Sequence, residues 1–377
     1  MAVSASRPFE GLTVVAIEQA VAAPFASSRL ADGGARVIKI ERPEGDFARG
    51  YDEVVKGQAS YFVWLNRGRE SVAIDMATPE GKAELSALVA TADVLIQNLK
   101  PGALDRLGFG PVTLRRTHPR LIIASISGYG EEGPLARRKA YDLLVQAESG
   151  LSSITGGPES AARVGISIVD IATGETTYSA ILEALIARSV TGEGADIRVS
   201  MFDVMADWLT VPLLNHEGGR SPKRLGLAHP SIAPYGVFAT LDGAEILISI
   251  QSDREWAKFA EVFLGRPEAA TDDRFATNVA RVRSRAETDA MVARIFAGLT
   301  KAEAEAGLIA ADVAFASVND MAGLSEHPHL RRITVASPAG EVSFPAPAPR
   351  FVGEERRYGA VPAIGEHAPL PSLEIAS

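Results

Sequence analysis

The 377-residue chain contains no cysteine. Disulfide frameworks, zinc–thiolate and iron–sulfur sites and thiol nucleophiles are therefore excluded. Long apolar runs are missing as well. No segment approaches the roughly 18 consecutive apolar residues that a membrane-spanning helix needs, and the stretch from Met1 to Gly11 has no apolar core of the secretory kind. Positive charge is scarce: 38 Lys and Arg face 47 Asp and Glu, for a formal net charge of −9. That balance lacks the basic excess of a nucleic-acid binder. A soluble cytoplasmic protein with neither a nucleic acid nor a membrane as partner is expected. An apolar share of 46%, in a chain longer than the ~100–200 residues of one domain, predicts two domains with ample core.

Short β-branched runs alternate with helical patterns through the first half, which predicts βαβ units and a mostly parallel α/β sheet. Strands are expected at 12–18, 36–41, 71–75, 94–97, 121–127 and 196–200. Pro24 opens a helix that Gly33 and Gly34 close. A second helix starts at Thr78-Pro79-Glu80, where Thr78 caps, Pro79 lacks an N–H that the helix start does not need, and Glu80 meets the positive dipole end. A long helix is expected over 171–190, with Ile181, Leu182, Leu185 and Ile186 as its buried stripe, and another over 201–214. Gly218, Gly219, Pro222, Pro230 and Pro234 make 215–234 read as a linker. A hairpin over 235–240 and 245–251, then helices near 255–264, 286–298 and 301–310, predict a smaller α+β domain spanning 235–330. The proline-rich tail from Pro338 reads as an extended segment returning to the large domain, which is expected to comprise 1–214 and 331–377.

Several familiar chemistries fail on their own residues. The string Gly128-Tyr129-Gly130-Glu131-Glu132-Gly133 follows the fifth expected strand, places two carboxylates where a pyrophosphate would lie and runs into Pro134. The first βα turn, Gln19-Ala20-Val21-Ala22-Ala23-Pro24, has no glycine at all, which disfavours a nicotinamide-dependent oxidoreductase. Gly165-Ile166-Ser167-Ile168-Val169 lacks the second glycine of a hydrolase elbow. The six histidines form no His-Glu-x-x-His pattern, His327-Pro328-His329 reads as a loop, and no metal site is expected.

Asp170 is the most informative residue. It lies between a strand-like run at 164–169 and the long helix. Two readings are open: a helix N-cap, or a carboxylate nucleophile, already charged and needing no neighbouring base. Cationic and amide groups gather near the ends of the expected strands: Lys39, Arg42, Asn98, Lys100, Arg106, Arg137, Arg138 and Lys139. Ligands of open parallel sheets bind at those ends, and Arg and Lys suit phosphates, so together they suggest a polyphosphorylated ligand.

Taken in order, certain strings resemble the class III coenzyme A transferases (CaiB/BaiF type), the family that also contains alpha-methylacyl-CoA racemase. They are Phe9-Glu-Gly-Leu, the Gln19–Pro24 turn, Val37-Ile-Lys-Ile-Glu-Arg42 with Gly45-Asp46, the 66–75 stretch, Asp93-Val-Leu-Ile-Gln-Asn98, Pro101-Gly-Ala-Leu-Asp-Arg-Leu-Gly-Phe109, Gly128-Tyr-Gly-x-x-Gly-Pro134, Tyr141-Asp142, the 165–174 stretch and Gly365-Glu366-His367. The resemblance implies a large Rossmann-like domain built from both chain ends, a smaller domain and an interlocked homodimer. It makes Asp170 the nucleophile and sets coenzyme A against Gln19, Ala20, Val21, Ala22, Lys39, Arg42, Asn98, Leu99, Arg106, Lys139 and Tyr141. The CoA thioester is then substrate, with no tightly bound cofactor. An aspartyl-acyl anhydride and an aspartyl-CoA thioester are the implied intermediates, and N–H groups at the helix start are expected to stabilise the oxyanions.

One departure favours the transferase branch. Racemases of the family carry a histidine before the aspartate that follows the Gly-Pro loop, whereas this chain reads Lys139-Ala140-Tyr141-Asp142. Tyrosine, with a pKa of about 10, is a poor base at neutral pH. A racemase and a non-catalytic CoA-binding module remain as alternatives. The Gln19–Pro24 turn and the 139–150 stretch look most like the mesaconyl-CoA C1–C4 transferases and their relatives acting on itaconate, citramalate or succinate. A short branched dicarboxylate is expected, including transfer between the two carboxyls of one molecule. Arg49, Arg67 and Arg163 are unranked candidates for binding its free carboxylate.

Overall fold

Six short strands run parallel through the centre of the chain: β1 (Thr13–Ile17), β2 (Arg36–Glu41), β3 (Arg69–Ala73), β4 (Val94–Gln97), β5 (Ile122–Ser127) and β6 (Asp196–Ser200). Their order is β3-β2-β1-β4-β5-β6. Strands covered on both faces read as nearly unbroken apolar runs, and Val14, Val15, Ala16, Leu95, Ile96, Ile122 and Ile123 are all fully buried. The computed structural model describes residues 7–368. The first six residues of the start and the end of the proline-rich tail, with Pro369 and Pro371, lie outside the described residues.

Helices α1 (Ala22–Asp32), α2 (Ser60–Leu65), α3 (Pro79–Ala90), α4 (Ala103–Leu107), α5 (Pro111–Thr117), α6 (Asp142–Glu148), α7 (Leu151–Ile154), α8 (Ile168–Thr191), α9 (Met201–Trp208) and α10 (Thr210–Glu217) follow in chain order. Thr78 caps α3 by accepting the Gly81 N–H at 3.0 Å. Val14, Ala16 and Ile96 pack with α1, α8 and α9 on one face of the sheet. Val15, Ile17 and Leu95 pack with Leu85, Leu88 and Val89 of α3 on the other.

The strand-like run at 164–169 is not a strand. β6 takes the place beside β5, and the run joins none of the described strands. Its amides go to side chains instead: Val164 N–H to Gln146 Oε1 at 2.9 Å and Val169 N–H to Asp142 Oδ1 at 2.8 Å. α8 accordingly starts at Ile168, three residues before its expected start.

The chain divides into two compact units. One comprises the residues up to Leu151, Arg163–Val211 and the chain from Arg331 onward; the other comprises Ser152–Ala162 and Pro212–Leu330. The stretch expected as a linker, 215–234, therefore belongs to the second unit, as do 152–162. Arg224 shows why, donating to the carbonyls of Ser153, Gly157 and Pro158. In this unit β7 (Tyr235–Ala239), β8 (Glu245–Ser249) and β9 (Ala314–Ser317) form an antiparallel sheet. Its core joins Ile246, Ile248, Trp256, Phe259 and Phe296. β9, short and half-exposed, gave no alternation in the sequence.

The tail forms a hairpin of β10 (Arg332–Val335) and β11 (Val342–Pro345), packed with Phe62, Val63 and Val361. It then reaches β3, where Ser71 Oγ accepts the Gly365 N–H at 2.9 Å and His367 Nδ1 accepts the Ser71 N–H at 3.2 Å.

Gly174 sets the approach of α8 to α1. A Cβ there would meet the Ala22 carbonyl oxygen at 2.5 Å and the Phe25 Cβ at 2.7 Å. Gly174→Ala is expected to force the two helix starts apart and to destabilise the chain by about 1–3 kcal/mol, the usual cost of overpacking. Urea unfolding of the two proteins measures this.

Candidate active site

The strand order reverses between β1 and β4, and ligands of open parallel sheets bind in the crevice that this leaves beyond the strands' carboxyl ends. A cleft of ≈480 Å³ opens there. The β1–α1 turn brings Gln19, Ala20, Val21 and Ala22 to its wall, the segment after β4 brings Asn98 and Leu99, the segment before α6 brings Lys139 and Tyr141, and α8 brings Asp170. Residues scattered over 150 positions of sequence thus meet at one switch point.

Asp170 lies in the first turn of α8 but does not cap it. Asp142, the first residue of α6, does so from outside the helix. Its Oδ1 accepts the N–H groups of Val169 at 2.8 Å and Asp170 at 3.2 Å, and its Oδ2 accepts Gln146 Nε2 at 2.7 Å. Two of the orphan donors of the helix start are satisfied in this way. They are not available to stabilise an oxyanion, which corrects that expectation. Among the described residues, no side chain or backbone N–H donates to the Asp170 carboxylate. Burial, and then the charge of Asp142, push Asp170 up to about 7 from 3.8.

Phe47, Tyr51 and Tyr61 form an aromatic wall beside it. The Tyr61 hydroxyl and Ser167 Oγ share a hydrogen bond of 2.8 Å. Burial first, then the charges of Asp170 and Asp46, push the Tyr51 phenol up to about 12, so it keeps its proton and stays a donor.

The expected cationic contacts divide. Lys39 is fully buried and does not reach the cleft: its Nζ lies 2.9 Å from Asp46 Oδ2 and 3.6 Å from Glu18 Oε1. A desolvated ammonium needs such partners, and nothing in the six-residue string Val37–Arg42 distinguishes it from an exposed one. Arg42 and Arg106 are exposed and stand outside the cleft wall. The cations that do line it are Lys100, Arg138, Lys139 and Arg163. Arg138 pairs with Glu148 at 3.2 Å on the surface. Arg163 donates through Nε to the Val164 carbonyl at 3.0 Å and pairs with no carboxylate among the described residues. Arg49 is locked in a fork on Glu41, at 2.9 and 2.7 Å, and Arg67 is buried against Asp32. Sequence reasoning missed the parts played by Asp46, Tyr51, Tyr61 and Asp142. Only the Gly45-Asp46 and Tyr141-Asp142 strings had drawn attention to any of them.

The family model for CoA-transferase family III matches residues 9–368. The chain belongs to that family. It is 41% identical over 298 residues to an acetyl-CoA:oxalate CoA-transferase of Acetobacter aceti, covering 78% of this chain and 75% of that one. It is 40% identical over 290 residues to a succinate–glutarate CoA-transferase of Agrobacterium fabrum, covering 74% and 72%. A crystal structure of a CAIB/BAIF family protein from Brucella suis superposes with a TM-score of 0.81 at 35% identity, over 96% of this chain and 97% of that one. The transferase therefore takes acyl-CoA thioesters and carboxylic acids as its substrates.

A raised carboxyl pKa has a fixed sign for stability. Between the ordinary 3.8 and about 7 the unfolded chain has lost the Asp170 proton while the folded transferase keeps it. Stability falls as pH rises through that window, and the loss is complete above it. Asp170→Asn is thus expected to raise the melting temperature more at pH 8 than at pH 5, and Asp142→Asn, by removing the like charge, to flatten the pH slope. Thermal melts across this range read both.

Proposed function

We propose that the transferase moves coenzyme A from an acyl-CoA thioester to a short dicarboxylate through the Asp170 carboxylate. The observation that carries this is the division of labour at α8: Asp142 performs the capping, and Asp170 stands in the cleft with no structural bond to break. In its ionised form Asp170 attacks the thioester carbonyl, and the C–S bond breaks to give an aspartyl-acyl anhydride and CoA thiolate. The thiolate attacks the aspartyl carbonyl, which releases the first acid and leaves an aspartyl-CoA thioester. The acceptor carboxylate attacks that carbonyl in turn, forming a second anhydride and expelling the thiolate. The thiolate then takes the acceptor's acyl carbon, freeing Asp170 and the new CoA ester. The aromatic wall of Phe47, Tyr51 and Tyr61 keeps water from the anhydrides, and Tyr51 is a protonated donor near the charge that develops.

Coenzyme A rests, in this reading, against the Gln19–Ala22 turn, Asn98, Leu99 and Tyr141, with Lys100 and Lys139 toward its phosphates. Arg163 takes the free carboxylate of the acid, since Arg49 and Arg67 are held elsewhere by Glu41 and Asp32. Oxalate and glutarate, in the names of the two relatives, are dicarboxylates. Mesaconate, citramalate, itaconate and succinate are the acids proposed here, including transfer from C1 to C4 of one molecule. A cytoplasmic homodimer is the proposed form; Ile186, expected in the buried stripe of α8, is exposed and with Val190 offers an apolar surface for a second copy. Among the described residues, no helix is long and apolar enough to cross a membrane.

Incubation with succinyl-CoA followed by hydroxylamine or borohydride trapping should yield a mass change confined to the peptide that carries Asp170. Asp170→Asn should lower transfer by about a thousandfold or more. If it transfers CoA at the wild-type rate, the mechanism is wrong; solvent deuterium entering the substrate's alpha carbon without CoA transfer would favour racemisation. kcat/KM for the thioester should rise with pH through about 7. Arg163→Gln should weaken kcat/KM for succinate about 10- to 100-fold, the worth of a charged hydrogen bond, with a much smaller loss for acetate.

A further inference from the structure

Ala20 holds a left-handed backbone, φ 64°, at the cleft wall. Alanine rarely adopts that conformation unless its surroundings impose it. The surroundings here are specific. Gln19 is fastened through both backbone groups to Asn98, its N–H to Oδ1 at 3.0 Å and its C=O to Nδ2 at 2.8 Å. The Ala20 N–H donates to Asp46 Oδ1 at 3.2 Å. The same oxygen accepts the Ala48 N–H at 2.9 Å, inside the 3-10 turn Phe47–Gly50 that leads from Phe47 to Tyr51.

Asp46 is itself fixed from two sides. Its Oδ2 faces the Lys39 ammonium at 2.9 Å, and its N–H donates to Glu41 Oε2 at 2.8 Å. Both Asp46 and Lys39 are buried. Lys39 also has Glu18 within 3.6 Å. A residue that served only to neutralise Lys39 would need neither backbone contact.

We infer that Asp46 is a positioning residue of the transfer reaction: one carboxylate oxygen joins the β1–α1 turn to the Phe47–Tyr51 wall and so sets the separation of the two surfaces that flank Asp170. This rests on Asp170 as the reacting carboxylate. Lys39 orients Asp46 and takes no part in holding the CoA phosphates.

The test separates the acceptor atom from the charge. Lys39→Met with Asp46→Asn removes both buried charges but keeps an oxygen facing Ala20 and Ala48, whereas Lys39→Met with Asp46→Ala removes the oxygen too. In the full chain, with succinyl-CoA and mesaconate, the alanine pair should lose about a hundredfold in kcat relative to the asparagine pair, as a misplaced wall of a reacting site does. KM for succinyl-CoA should stay within about threefold. Adding Ala20→Gly to the alanine pair should recover about fivefold in kcat, because glycine keeps a positive φ without being held. Equal kcat in the two pairs, or no recovery with glycine, would overturn the assignment. Amide exchange supplies a readout besides activity: the N–H groups of Ala20 and Ala48 should exchange faster in the alanine pair than in the asparagine pair, and equal rates would equally overturn it. If the wild type transfers no CoA between any acids, the Asp170 reading falls, and the exchange rates still decide whether Asp46 holds the turn.

Discussion

The start of α8 has N–H groups that need acceptors, and the site depends on which carboxylate supplies them. Had Asp170 capped its own helix, its oxygens would be bound to backbone amides and its pKa held low. Asp142 takes that duty from α6. Burial moves Asp170 toward neutrality, and the capping charge adds to this as a neighbour of like sign. A structural need of one helix thus leaves a second carboxylate unbonded in the cleft. Gly174, one turn further on, lets α8 approach α1 closely enough for that carboxylate to share a cleft with the β1–α1 turn.

On the other side of the cleft, charges are buried in matched sets. Lys39 lies between Glu18 and Asp46, Arg69 reaches Glu18 and the Pro24 carbonyl, and Arg49 forks onto Glu41 and also reaches the Pro362 carbonyl. Removing one member of such a set leaves an uncompensated buried charge, which is far more costly than the set as a whole. The cluster forms a floor of mutually compensated charges under the turn, and through Ser71, which donates to Glu41 and accepts from Gly365, it also ties in the returning tail. The acidic chain sorts its cations accordingly: some are spent inside the floor, and Lys100, Lys139 and Arg163 remain at the cleft.

The parallel sheet was legible because strands buried on both faces carry their signal in every residue. The six expected strands match the observed ones to within two residues at either end. The capping of α3 by Thr78 was legible for a similar reason, since a cap is a local bond. Elements whose existence depends on distant partners were not. α2 has six residues and no side-chain cap. The 164–169 run has strand composition but gives its amides to side chains of α6, and 215–234 has linker composition but is bound by Arg224 contacts into the second unit.

The sequence by itself determined the class of chemistry and the strands of a mostly parallel sheet. It has no thiol, it carries a carboxylate ahead of a long helix, and its ordered strings match one family from Phe9 to His367. Only the tertiary structure decided which charges line the cleft and which are buried beneath it. Lys39 and Lys139 are the same side chain, and Asp142 and Asp170 the same acid. What separates them is desolvation and the identity of the nearest partner, both properties of a place in the fold and of no local string. Burial set Lys39 between Asp46 and Glu18. A borrowed cap left Asp170 as the acid with no bond of its own.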